Sequence, residues 1–325
     1  MGKEVDIVAM GELLIDFTES GVSESGMKLF EQNPGGAPAN LLTVASHMGY
    51  STAFVGKVGK DMHGAFLKKT LKQEGICTDY LLEDERYFTT LAFVELNANG
   101  EREFSFSRKP GADTQLQKEE LDQELLESCK IFHYGSLSLT DEPARTATVE
   151  AVTIAKQAGA LISYDPNYRA SLWPDEETAV VEMKSMIHYA DVLKVSDVES
   201  LLLTGKDTFE EAIKVLLSMG PKLVAVTLGK DGVLLGTKNG VERVPGVTVK
   251  TVDTTGAGDS FWGGFLSQYL SNKKCPEQMS WEEWKTCAVC GNATAALCVQ
   301  KRGGIPAMPA KKEVEVMLAG RELRL

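Results

Sequence analysis

Short apolar segments alternate with amphipathic ones along most of this 325-residue chain, and that alternation restricts the possible folds more than any other feature. The apolar segments are rich in branched residues and are predicted to be buried strands, at 5–10, 52–58, 131–135, 161–165, 192–195, 223–228 and 232–236. Helical patterns lie between several of them, at 64–75, 143–159, 177–189 and 209–220. Strand–helix–strand repetition predicts a covered, mostly parallel sheet, which binds its ligands at the carboxyl ends of its strands.

Two stretches, 12–32 and 87–108, depart from this pattern because polar and apolar residues alternate there without long helices. In the second, segments 89–96 and 101–108 flank an Asn-Ala-Asn-Gly turn at 97–100, which predicts a hairpin with Phe104 and Phe106 on one face. A sheet this small is too thin to form its own core, so we expect it to pack beside the main sheet.

Composition excludes several classes of function. The formal net charge is −12, from 34 basic and 46 acidic residues, which argues against binding to nucleic-acid backbones. No apolar run reaches the roughly 18 to 20 residues of a membrane helix, and no signal-peptide core follows the first residues. Only Cys287 and Cys290 form a C-x-x-C, which we interpret as buried free thiols inside a helix, and the four histidines lack zinc-like spacing. These features predict a cytoplasmic protein.

The segment Asp253-Thr-Thr-Gly-Ala-Gly-Asp-Ser-Phe-Trp-Gly-Gly-Phe265 carries the clearest chemistry. Gly256, Ala257 and Gly258 have almost no side chains and precede an amphipathic helix, so their N–H groups can hold an anion such as phosphate. Asp259 follows at once, and a carboxylate beside a phosphate can accept the proton of an attacking hydroxyl. The sequence therefore predicts phosphoryl transfer with Asp259 as the general base. No Walker A segment is present, which excludes a P-loop kinase.

The same segment resembles the second signature of the ribokinase-like (phosphofructokinase-B) carbohydrate kinases. Their first signature is matched by Asn33-Pro-Gly-Gly-Ala-Pro-Ala-Asn40, and the resemblance runs from Gly11 to Pro309. It implies a three-layer α/β/α core with a mostly parallel central sheet and a small β-sheet lid. The core would comprise residues 1–11, 33–86 and 109–325, and the lid 12–32 and 87–108. The resemblance also implies ATP with Mg²⁺, a K⁺ ion in many relatives, and a homodimer formed through the lid.

The resemblance carries specific roles onto matching positions. Those implied to bind the sugar are Asp16, Gly35, Gly36, Asn40, Arg102, Phe104, Asn167 and Arg169. Those implied to bind the nucleotide are Lys194, Glu199, Thr227, Gly229, Gly232, Gly258 and Asn292. Glu199 would organise magnesium-bound water, although Ser196 stands where many relatives have Asn. Those implied to surround a monovalent cation are Asp253, Thr255, Cys298, Lys301 and Gly303.

The choice of sugar rests on two further segments. Both 164–169 and 100–113 look like the fructokinases of bacteria and plants, which implies phosphorylation of D-fructose to fructose 6-phosphate. Arg102 and Arg169 keep 2-keto-3-deoxygluconate open as an alternative, because arginine suits the carboxylate of an acid sugar. A non-catalytic sugar- or nucleotide-binding regulator on the same fold is the alternative from another class. The intact Gly-Ala-Gly and Asp259 argue against that alternative.

Overall fold

The computed structural model describes residues 5–96 and 102–322, with their side chains except at 94–96, 102–104 and 321–322. The predicted turn at 97–100 lies outside the described residues. The strands are β1 (Val5–Met10), β2 (Leu14–Val22), β3 (Lys28–Gly35), β4 (Thr52–Gly59), β5 (Leu81–Asp84), β6 (Leu91–Leu96), β7 (Arg102–Ser107), β8 (Cys129–Gly135), β9 (Leu161–Asp165), β10 (Val192–Ser196), β11 (Leu223–Thr227), β12 (Val233–Thr237) and β13 (Gly240–Val244). The helices are α1 (Ala37–His47), α2 (Met62–Gln73), α3 (Gln123–Ser128), α4 (Ala144–Gln157), α5 (Glu176–Ser185), α6 (Asp197–Thr204), α7 (Phe209–Ser218), α8 (Ala257–Asn272), α9 (Trp281–Cys298) and α10 (Lys311–Glu322).

Nine strands form the central sheet in the order β13-β12-β11-β10-β9-β8-β1-β4-β5. All neighbouring pairs are parallel except β11–β12 and β12–β13, which are antiparallel. The seven strands predicted from sequence all lie in this sheet, with ends shifted by two residues at most. The predicted mostly parallel α/β architecture is confirmed.

Successive residues of a strand point to opposite faces of a sheet, and both faces here are buried. In β1, Ile7 and Ala9 belong to one apolar cluster, which includes Trp262 and Phe265 of α8. Val8 and Met10 belong to the cluster on the other face, which α4 and α5 help to cover. The sheet is therefore the middle of three layers. None of the described helices is long and apolar enough to cross a membrane.

The smaller sheet, called the lid here, has the order β3-β2-β6-β7. The predicted hairpin is confirmed as the antiparallel pair β6–β7, and segment 12–32 supplies β2 and most of β3. Phe17 and Phe93 stack on one face with ring centroids 5.3 Å apart. β3 continues to Gly35, which pairs with Leu14, so the lid leads directly into α1.

The cysteines at 287 and 290 are free and buried in α9, as predicted. Burial raises the pKa of the Cys290 thiol to about 11, which leaves it protonated and unreactive at neutral pH.

Candidate active site

The first turn of α8 presents backbone donors beside small residues. Gly256 precedes the helix in the left-handed region, with φ of +72°, and no side chain caps the helix end. The positive φ favours glycine at this position, and a Cβ there would also displace the end of the Met308 side chain, whose Cε would lie 2.7 Å away. The Ala257 N–H donates to Thr254 O at 3.3 Å. First-turn N–H groups without a side-chain cap, at the positive end of the helix dipole, form a site for an anion.

Asp259 projects from this turn and is partly buried. Its Oδ2 accepts a hydrogen bond from Asn40 Nδ2 at 2.8 Å. Burial raises the pKa of Asp259 to about 6, and the nearby Asp165 carboxylate raises it further, whereas Asn40, Lys194 and Arg169 oppose the rise. A carboxylate with a pKa near 6 is ionised at neutral pH and basic enough to take a proton.

A buried ion pair lies next to the same turn. Lys194 Nζ donates to Asp165 Oδ2 at 2.5 Å, and both residues are at most 5% exposed. A Cβ on Gly258 would lie 3.1 Å from Lys194 Nζ, which places the ammonium beside the backbone donors of α8. Burial lowers the pKa of Lys194, but the carboxylates of Asp165, Glu199 and Asp259 outweigh it and raise the pKa overall, so the cation persists.

Sequence reasoning missed Asp165, although its position gave a usable signal. It is the last residue of the apolar strand β9, where ligands of parallel sheets gather. Asp165 Oδ1 is buried and has no hydrogen-bond partner among the described residues. Such an oxygen is costly to leave unpaired, so we expect a ligand, an ion or water to satisfy it.

Glu199 organises the loop that follows β9. Its Oε1 accepts from the Tyr168 N–H at 2.6 Å and its Oε2 from the Ser196 N–H at 2.7 Å. Ser196 Oγ in turn accepts from the Glu199 N–H, so Ser196 caps α6 in a capping box. The loop held in this way carries Asn167, in the left-handed region with φ of 52°, and Arg169. Ser196 therefore has a structural task that does not require a ligand.

The predicted sugar-binding residues near the lid lie close together. A Cβ on Gly35 would collide with Asp16 Oδ2, and Gly36 has a φ of +130°. Asn40, three residues beyond the start of α1, is 4% exposed, and its Oδ1 has no hydrogen-bond partner within the described part of the chain. The side chains of Arg102 and Phe104 lie outside those described, so their predicted roles remain predictions.

A cleft of about 360 Å³ adjoins the first turn of α8, with Ala257 and Gly258 in its wall. Of the predicted nucleotide-binding residues it is lined by Thr227, Gly229, Gly232, Gly258 and Asn292. Asn292 Nδ2 donates to Pro245 O at 3.0 Å. Sequence reasoning missed the apolar wall, because segment 246–249 has no regular secondary structure and hence no periodic pattern. The cleft is largely apolar and leads to the anion site. This arrangement suits a nucleotide whose nucleobase lies in the cleft and whose phosphates reach the anion site.

The residues predicted around a monovalent cation lie in two adjoining loops, except Cys298, which is the last residue of α9. Asp253 joins the loops, since its Oδ1 accepts from the Thr255 N–H at 2.7 Å and its Oδ2 from the Gly303 N–H at 3.1 Å. Cys298 Sγ donates to Thr255 O at 3.5 Å. Lys301 Nζ pairs with Glu313, so only its main chain could face a cation. Within residues 5–96 and 102–322, no three His, Cys, Asp or Glu side chains converge to hold a metal, so carbonyl oxygens would have to supply most ligands.

Comparison with known proteins agrees with this geometry. The pfkB family carbohydrate kinase model matches residues 5–311. Fructokinase-2 of Solanum habrochaites is 45% identical over 319 residues, covering 97% of this chain and 96% of the relative. The ATP-bound fructokinase of Xylella fastidiosa has a TM-score of 0.88 at 31% identity, covering 98% of this chain and 99% of that one. A double-mutant fructokinase of Vibrio cholerae O395, in a fructose-, ADP- and potassium-bound form, has a TM-score of 0.87 at 30% identity, covering 98% and 100%. Sequence and fold agree over nearly the whole length, and the chain belongs to the pfkB family of carbohydrate kinases.

Proposed function

We propose that this carbohydrate kinase is an ATP-dependent fructokinase that phosphorylates D-fructose to fructose 6-phosphate. The observation that carries the proposal is the position of Asp259, whose carboxylate is held by Asn40 beside the uncapped first turn of α8. A base and an anion site thus lie within one helical turn, as transfer of a phosphoryl group to a hydroxyl requires.

The reaction follows from these positions. Asp259 takes the proton of the sugar hydroxyl, whose oxygen attacks the γ-phosphorus of ATP as the bond to the β-phosphate oxygen breaks. The N–H groups of Gly256 and Gly258, together with the Lys194 ammonium, stabilise the charge on the transferred group, whereas the predicted donor of Ala257 is already bonded to Thr254 O. The products are fructose 6-phosphate and ADP, and the proton leaves Asp259 for solvent. Removing one such donor typically costs roughly 100- to 1,000-fold in rate.

Two ions suit this site. Mg²⁺ would bind mainly ATP oxygens and water, with Glu199 on the water shell, and it would neutralise phosphate charge. The residue types fit that role, since the Glu199 carboxylate is oriented by two backbone donors and the buried Asp165 Oδ1 has no hydrogen-bond partner among the described residues. K⁺ would bind main-chain oxygens of the loops joined by Asp253.

The identity of the sugar is supported by the relatives. Several curated and structural relatives are fructokinases. Arg108 donates to Asp113, Thr140 and Leu137 O, so its guanidinium is held by the core. Arg169 Nη1 donates to Tyr168 O. The fructokinase relatives favour fructose over 2-keto-3-deoxygluconate, for which Arg102 and Arg169 remain the candidate contacts.

The remaining proposals concern the lid and the setting of the enzyme. The core and lid boundaries expected from sequence would make the lid a cover for the bound sugar. Its exposed apolar residues Val22, Met27 and Leu29 suit a second copy of the chain, hence a homodimer through the lid. A cytoplasmic location remains part of the proposal.

A coupled ADP-release assay tests the function directly. Fructose, ribose, adenosine and 2-keto-3-deoxygluconate are compared as acceptors at equal concentration. The mass of the product shows that it carries a phosphate, and NMR shows whether that phosphate is on the 6-hydroxyl. Turnover with fructose exceeding that with the other three supports the proposal. Preference for the acid sugar would replace fructose with 2-keto-3-deoxygluconate, and binding without ADP release would favour the regulator.

A further inference from the structure

We infer that Arg108, with Asp113 and Thr90, is a brace that holds the lid in place over the sugar site and limits the access of water. The inference rests on the proposed fructokinase function. Arg108 is therefore a positioning residue, which acts through the lid and does not touch the substrate.

The brace joins two points where the chain passes between lid and core. Thr90 directly precedes β6, and Arg108 directly follows β7. Thr90 Oγ1 donates to Asp113 Oδ1 at 2.5 Å, and Arg108 Nε donates to Asp113 Oδ2 at 2.7 Å. One carboxylate of the core thus fixes both ends of the β6–β7 hairpin. The Ile15 N–H donates to Thr90 O at 3.1 Å, which attaches β2 to the same point.

The guanidinium is also anchored to the core. Arg108 Nη1 donates to Thr140 Oγ1 and Nη2 to Leu137 O, each at 2.8 Å. Both acceptors belong to the segment after β8, on the central sheet. Arg108 and Asp113 are 5% and 6% exposed, so their charges are shielded from water and depend on each other. A buried pair of this kind is expensive to break and has a fixed geometry.

The other two connections of the lid meet beside the brace. Glu12 lies in the connection between β1 and β2, and its Oε1 accepts from the Ala37 N–H at 2.8 Å. Ala37 begins α1, just after β3 and Gly36, so this hydrogen bond joins the two remaining connections of the lid. Burial raises the pKa of Glu12 to about 7, and the charge of Arg108 opposes the rise. Arg108 is therefore near enough to influence the crossing from β1 to β2 as well. Gly111 completes the packing, because a Cβ there would collide with Thr90 Oγ1.

This arrangement has a consequence for the reaction. A lid excludes water from the phosphoryl group and completes the sugar site, so loosening its attachment should weaken sugar binding and let water compete for the γ-phosphorus. A substitution that merely destabilises the protein would lower sugar phosphorylation and ATP hydrolysis together. The ratio of the two activities therefore separates a positioning role from a structural one.

The chain offers a matched control in Arg145, which holds the same segment of the core without touching the lid. Arg145 donates to Leu139 O at 2.7 Å and pairs with Glu182 at 3.0 Å. Arg108→Met and Arg145→Met are compared in the full-length protein. We expect Arg108→Met alone to raise the KM for fructose about 5- to 10-fold and to raise the ratio of fructose-independent ATP hydrolysis to fructose phosphorylation by a similar factor. Equal responses of the two variants in both quantities would overturn the inference.

A second pair of variants, each of which removes a single hydroxyl group, serves if Arg108→Met does not fold. Thr90→Val removes one hydroxyl of the brace, and Thr148→Val removes a buried hydroxyl in α4 that donates to Ala144 O. Hydrogen–deuterium exchange without ligands should increase in β2 and β6 for Thr90→Val only. Unchanged exchange in those strands, or an equal increase in both variants, contradicts the brace. This measurement needs no fructose turnover, so it decides the inference even if the wild-type protein fails the acceptor assay and the proposed function falls.

Discussion

Asn40 and Asp259 are 219 positions apart in the chain, yet the amide Nδ2 of the first lies 2.8 Å from the carboxylate Oδ2 of the second. Asn40 belongs to α1, which follows the lid, and Asp259 belongs to α8, so the bond joins the proposed sugar side of the site to the proposed phosphate side. The amide is the donor, and it favours the ionised carboxylate against the effect of burial. The proposed base is thus oriented by a residue that is itself expected to contact the sugar.

Replacing the base isosterically tests its role. Asp259→Asn keeps an oxygen that can accept from Asn40, so the geometry should persist while the base is lost. We expect turnover at least about 100-fold lower, in line with loss of a general base, and fructose affinity little changed. Turnover is measured by ADP release and affinity by calorimetry. Asp175→Asn, at the exposed N-cap of α5, is the control and should retain full activity. Full activity of Asp259→Asn would show that another group takes the proton.

The acid limb of the pH profile should report the same carboxylate. With a pKa of about 6, Asp259 is protonated and inactive at lower pH, so kcat/KM should fall as the pH drops through about 6. Asp165→Asn removes a neighbouring negative charge and should move this limb to lower pH. Lys194→Met removes a positive charge and should move it to higher pH. Shifts in the same direction for both variants, or none, would contradict the assignment.

Stability should depend on pH through the same group. The pKa of Asp259 is raised on folding, from 3.8 to about 6, so the native state disfavours the ionised form. The loss of folding stability caused by the ionised Asp259 is therefore complete above pH 6, decreases between pH 6 and 4, and vanishes below pH 4. Without ligands, Asp259→Asn should therefore be about 1 kcal/mol more stable than wild type at pH 7.5, which corresponds to a Tm about 1–2 °C higher for a chain of 325 residues. Partial exposure of Asp259 keeps the effect below that of a fully buried carboxylate. Calorimetry should find no difference near pH 4; a wild-type protein that is the more stable at pH 7.5 would refute this account.

The local part of the site could be predicted from sequence, because its residues are adjacent in the chain. Gly256 to Asp259 form one turn, and both the donors and the base follow from helix geometry. The parallel strands could also be predicted, since burial on both faces gives continuous apolar segments such as β4.

Long-range pairings could not be predicted in this way. Asp165 meets Lys194 and Thr90 meets Asp113 only because neighbouring strands and loops end at the same edge of the fold, and no periodicity encodes such contacts. Arg108 belongs to segment 100–113, which looks like that of fructokinases, but the sequence does not reveal that the core holds its guanidinium through Asp113, Thr140 and Leu137 O. Segment 246–249 lines the proposed nucleotide cleft without any regular pattern, so only the folded structure identifies it.

The loops joined by Asp253 predict activation by potassium. The Asp253 carboxylate accepts from the Thr255 and Gly303 N–H groups, which draws two carbonyl-rich loops together next to the first turn of α8. A monovalent cation bound there adds positive charge near the anion site, so turnover should be several-fold higher in KCl than in tetramethylammonium chloride at equal ionic strength. Asp253→Ala should remove most of this difference, whereas Asp231→Ala should retain it, since Asp231 is exposed and lies between two lining residues of the proposed nucleotide cleft. Equal rates of the wild-type enzyme in the two salts would exclude the cation site, because tetramethylammonium is too large to enter a ring of carbonyl oxygens.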